Sequence, residues 1–180
     1  MRVFQLAADE RYWSLIPERE EDWDIIDLFG RPLGRQWEPL NMVPLKRDAA
    51  GRELLRPDLY FVAHDVPAAN ERALGILRPL IEPFAEILPL SCPTEKVFAL
   101  NVITVIDALD YERSIVRRFP GSNHLADVEV PVFRPGAVDG VQMFRIPLIR
   151  RSYVYIGERF VRACQRAGLQ GLTFQPIASV

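Results

Sequence analysis

Fifteen prolines, scattered from Pro17 to Pro176, constrain this 180-residue chain more than any other feature. Proline fixes its own φ and has no amide hydrogen, so it is excluded from helix interiors and from central strands. The chain is therefore cut into many short elements, and a long helical bundle is excluded. Short elements need a common core, and here the apolar residues make up 49% and the aromatics 10% of the chain, enough to bury one without disulfide or metal staples. The length reads as a single domain over 1–180, with residues 1–56 irregular and rich in aromatics and acids, and residues 57–180 as an α+β core.

Hydrophobic periodicity places the elements. Residues 1–56 alternate Gly and Pro with Tyr12, Trp13, Trp23, Phe29 and Trp37, which predicts loops and short strands pinned by aromatic anchors. A strand is expected at 59–63. Pro67 then opens a helical pattern through Ala73, Leu74, Leu77 and Ile81, which Pro79 should close or kink near Leu77. Strands follow at 85–90 and 96–106, the second apolar on both faces and so expected inside its sheet. More strands are expected at 130–134, 141–147, 153–156 and 172–177. A helix is expected at 157–167, with Phe160, Ala163, Cys164 and Ala167 on one stripe and Gly168 as its stop. The sum is an α+β fold with a mixed or mainly antiparallel sheet, about two helices, and more strand than helix.

Charge and motifs exclude several function classes. The net charge of −2 creates no field that selects nucleic acid or an anionic membrane. Cys92 and Cys164 stand far apart without zinc spacing, and the N-terminal apolar stretch is too short and acidic for a signal peptide. The longest uncharged apolar run, 97–106, cannot span a bilayer, so a cytoplasmic protein is expected. No glycine-rich nucleotide loop, zinc-protease histidine pair or nucleophile elbow occurs, and no cofactor or metal is expected. His64 beside Asp65 could act as a general base, but no nucleophile stands near it in sequence, and His124 reads as part of an exposed turn. Asp107, Asp110 and Glu112 could form a carboxylate set for acid–base work or a divalent ion. Asp is equally the ordinary residue of a strand-ending turn, and that structural reading is preferred. Asn101, polar on an apolar strand, should have fixed hydrogen-bond partners, a neighbouring loop before a ligand.

The distribution of charge says more than any catalytic set. Residues 1–30 hold eight acids against three arginines, net −5, whereas residues 141–180 hold six arginines against Glu158, net +5. The segment carrying Glu18, Glu20, Glu21, Asp22, Trp23, Asp24 and Asp27 joins steering charge to a rigid aromatic, as a surface for a basic partner would. A solvated acidic turn whose tryptophans face the core stands beside that reading.

Ordered short motifs then suggest a family. Leu100-Asn101-Val102, Ile106-Asp107, Asp110, Ser114, Phe144-Arg145, the stretch 153–156 with Phe160, and 171–176 resemble, in order and spacing, the immunity-protein family numbered eleven of bacterial polymorphic toxin systems. Gly30, Pro32, Trp37 and Pro39, with Leu77-Arg78-Pro79 and Leu88-Pro89, resemble its earlier sections, so the likeness spans nearly the whole chain and is closest from Leu59 onward. The resemblance implies a non-enzymatic protein that binds a cognate protein toxin and blocks it by occlusion. It makes Asn101, Asp107, Asp110 and Ser114 signature residues with structural roles, and it supplies no catalytic ones. Toxins of such systems are often nucleases, whose basic phosphate-binding surfaces an acidic inhibitor would complement. The alternative is a small enzyme or ligand-binding domain using Asp107, Asp110 and His64 at a sheet edge. Stoichiometry and self-association are not legible in the chain.

Overall fold

A computed structural model describes residues 2–28, 30–63, 65–147 and 153–177. Among them it forms twelve strands and three helices, an α+β architecture with more strand than helix, as the periodicity predicts. The largest sheet has six strands in the order β3 (Met42–Leu45), β2 (Ser14–Pro17), β4 (Leu59–Val62), β5 (Val66–Asn70), β7 (Val97–Val102) and β6 (Ala85–Leu90). Its strands pair antiparallel except where β2 runs parallel to β4 at Leu15 and Val62. A second, antiparallel sheet orders β10 (Met143–Phe144), β11 (Tyr155–Gly157), β1 (Val3–Ala8) and β12 (Leu172–Pro176). β8 (Ile115–Arg118) and β9 (Leu125–Val130) form a separate two-stranded ribbon.

Strand alternation builds three cores. On β7, Leu100 and Val102 face one cluster while Val97 and Ala99 face another, which is why both faces of this strand are apolar. The first cluster lies under α2 (Glu71–Ile81) and α3 (Glu158–Ala167), which bury Leu74, Leu77, Phe160 and Cys164 against both sheets. The second is covered by the short α1 (Asp22–Ile26) and the chain around Leu28 and Leu40. The third packs the outer face of the four-stranded sheet on the ribbon, where Phe144 stacks on Tyr155 and Phe133 meets both rings edge-on, with ring centroids 5.0–5.5 Å apart. Burial pushes the Cys164 thiol up to about 12, so that cysteine is a small core hydrophobe.

Several expected boundaries move. Pro67 lies in strand β5 and does not open a helix: β7 pairs with β5 only from Ala68 onward, so the missing amide falls outside that ladder. α2 starts instead after Asn70, whose Oδ1 accepts a hydrogen bond from the Ala73 amide at 2.9 Å. Pro79 is accommodated inside α2, because the bond it removes would end at the exposed Gly75 while buried Leu77 and Ile81 hold the last turn in the core. Strand β7 stops at Val102, short of Ile106, since the amides of Ile103 and Thr104 both turn to the Phe84 carbonyl. The strand expected at 130–134 is the end of β9, which Pro131 terminates. The first 56 residues supply β1, which lies inside its sheet between β11 and β12.

Candidate functional site

A groove of about 670 Å³ opens between α1 and the chain at 31–40. Its first wall begins where β2 ends at Pro17. The helix that follows has five residues: its Ile26 is buried in the second core, and its Asp22, fully buried, accepts from Arg19 Nε at 3.1 Å and Nη2 at 2.9 Å. That pairing lets a carboxylate lie inside the fold. Ile25 stays half-exposed and, with Asp24, Asp27 and Leu28, faces the groove.

The opposite wall is the 31–38 loop, and it is tied to the six-stranded sheet. Glu86 on β6 accepts from the amides of Leu33 at 2.8 Å and Gly34 at 2.9 Å, and its Oε2 also accepts from Asn101 Nδ2 at 2.9 Å. The same Asn101 nitrogen donates to the Arg31 carbonyl at 2.9 Å. The Trp37 indole donates to the Pro89 carbonyl at 2.8 Å, which sets its ring as a groove wall beside Leu33 and Leu40. The result is an apolar floor rimmed by charge. Asp24 and Glu38 lack an ion pair among the described residues, while the lining includes two cations, Arg19, which is bonded to Asp22, and Arg31.

The seven acidic-segment residues separate in space. Glu18, Glu20, Glu21 and Asp24 are exposed, Trp23 and Asp27 are half-buried, and Asp22 is spent on Arg19. The aromatic ring lining the groove is Trp37, 14 positions beyond Trp23. No local signal marks it, because the pairing that brings Trp37 to α1 runs through residues 86, 89 and 101. Trp13 donates to the Leu54 carbonyl at 2.9 Å and pins a neighbouring loop.

The remaining candidates are distributed through the turn beyond β7. Asp110 Oδ1 accepts from the amides of Glu112 at 3.1 Å and Arg113 at 3.3 Å, an Asx turn. Asp107 differs from the backbone-bonding role expected of it: its exposed carboxylate accepts from the Tyr111 hydroxyl at 3.1 Å and faces Arg134 at 4.0 Å. Burial, and then this bond, push the Tyr111 hydroxyl up. Ser114 Oγ donates to the Val132 carbonyl at 3.1 Å and accepts from its amide at 3.0 Å, closing the base of the ribbon. Asn101 is fully buried, and its partners are a loop carbonyl and a carboxylate. His64 lies outside the described residues, and His124 is exposed. Among the described residues no three His, Cys, Asp or Glu side chains gather as a metal site, and no helix is long and apolar enough to cross a membrane.

Compared with protein-family models, the chain matches the Immunity protein family (Imm11) over residues 88–179, just over half its length. No curated protein matches it. The groove-lining residues, from Arg19 to Leu40, all precede the matched segment, whereas Pro89 and Asn101, which hold the loop, lie within it.

Proposed function

We propose, because the chain belongs to the immunity protein family Imm11, that it binds a cognate protein toxin of a bacterial polymorphic toxin system and blocks it by occlusion, without catalysis. The family match carries this reading. The groove between α1 and the 31–38 loop is the face assigned to the toxin: an apolar floor with Trp37 as its rigid ring, and a lining in which Asp24 and Glu38 carry no ion pair among the described residues, with exposed Glu18 and Glu20 just before α1. Such a face suits a toxin surface that is basic around an apolar side chain, and the phosphate-binding surface of a nuclease is one such surface. Asp107, Asp110 and Ser114 then serve the turn that carries the ribbon.

The test is co-expression with the toxin encoded beside this chain. Cells carrying both should grow, and the two proteins should co-purify as one complex. Protection without any detectable complex would point to action on the toxin's target or product, and would overturn occlusion.

A further inference from the structure

We infer that Glu86 and Asn101 act as positioning residues for partner binding, holding the loop that forms the groove's second wall through bonds that read only its backbone. The inference rests on the groove being the docking face. Glu86 on β6 and Asn101 on β7 are direct cross-strand partners, so their side chains leave the sheet together on one face. Glu86 accepts three hydrogen bonds, from Leu33 N, Gly34 N and Asn101 Nδ2, at 2.8–2.9 Å, and Asn101 donates a fourth to the Arg31 carbonyl at 2.9 Å. A carboxylate accepts only, so it can serve all three donors at once. At the loop's start Gly30 has φ +75°, and a Cβ there would stand 3.0 Å from the Val102 carbonyl, so the chain lies directly on the end of β7. At its far end the Trp37 indole is bonded to the Pro89 carbonyl.

All these anchors belong to β6, β7 or their ends, and the three on the loop between Arg31 and Gly34 are main-chain atoms. The side chains of Arg31, Gln36 and Glu38, which face the groove, take no part in the bonds that hold the loop. The strut thus keeps the wall in place whatever those side chains are, and they are left to set which toxin is accepted. A wall ordered before binding lowers the cost of docking and acts mainly on dissociation.

The experiment compares wild type with Glu86→Gln, which sets an amide N–H₂ against backbone N–H donors. Amide hydrogen exchange across 31–37 should speed by about tenfold or more while exchange in β7 is unchanged. Toxin dissociation should speed by about tenfold, with association altered less than about twofold. Should Glu86→Gln fail to fold, Glu86→Asp, which keeps the charge but draws the oxygens back by one methylene, carries the same expectations. Unchanged exchange across the loop overturns the strut. Faster loop exchange with unaltered dissociation overturns the positioning role, while the wild-type complex keeps the immunity reading intact. Failure of wild type itself to bind the toxin removes the reading, and the inference with it.

Discussion

Asp107 and Asp110 stand three positions apart in one turn, yet the physical consequences of losing them differ. Asp110→Ala removes the acceptor of two turn amides, and at a net ~0.5–1.5 kcal/mol per bond the loss should be about 1–2 kcal/mol. Asp107→Asn keeps an acceptor for Tyr111 on an exposed side chain, and should stay within about 0.5 kcal/mol of wild type. Denaturant unfolding decides between them, and equal losses would contradict the assignment. Phe160 is 1% exposed, with its ring 6.4 Å edge-to-face from Phe174, so Phe160→Ala should cost about 3–5 kcal/mol. A loss under about 1 kcal/mol would show that the α3 stripe is not core. Glu95 supplies a pH dependence. Burial pushes its carboxyl up, but hydrogen bonds from Arg56 and Tyr60 outweigh burial and hold it below its ordinary 4.5. A lowered folded value means stability fully present above pH 4.5 and lost as pH falls below 4.5 through the lower folded value. Acid titration of stability should therefore be shallower in Glu95→Gln, and an identical acid limb would remove Glu95 from the account.

At the scale of elements, α2 depends on a cap that periodicity does not reveal. Asn70 is the last residue of β5, and its Oδ1 serves a buried amide, so Asn70→Ala should cost about 1 kcal/mol or somewhat more in thermal or denaturant unfolding. No change would mean that α2 is held by its apolar stripe alone. The stripes of α2 and α3, and the two-faced β7, are legible in sequence because burial there repeats at the period of the element. The ribbon is not. β8 reads Ile-Val-Arg-Arg and is mostly exposed, so only its pairing with β9 makes it a strand. Pro67 misleads for a related reason: a local rule places it at a helix start, and its absence from the β7 ladder, which permits a strand, is a fact of tertiary pairing. The groove was half legible. The run from Glu18 to Asp27 shows its charge, but the burial of Asp22 and the arrival of Trp37 depend on contacts 3 and 52 positions away.

Over the whole molecule Asp22, Asp24 and Asp27 line the groove, with Glu18, Glu20 and Glu21 exposed just before them, and the segment matched to the family supplies part of the scaffold behind it through Pro89 and Asn101. Steering charge acts chiefly on association and is screened beyond ~8–10 Å at ordinary ionic strength, whereas a ring in the groove acts on dissociation. Trp37→Ala should accordingly speed toxin release by about tenfold or more while leaving association within about twofold, whereas an unchanged release rate would remove Trp37 from the interface. Charge reversal must spare Asp22, whose carboxylate is buried against Arg19, and Glu21, which pairs with the same Arg19 at 3.6 Å, and is confined to Glu20, Asp24 and Glu38. The most direct test of the toxin-docking claim is the association rate of the neighbouring toxin with wild type and with Glu20→Lys/Asp24→Lys/Glu38→Lys, across a range of salt concentrations. The account expects association with the variant to be slower by about tenfold or more at low salt, with a flattened salt dependence. Association as fast as wild type at every salt concentration would contradict it.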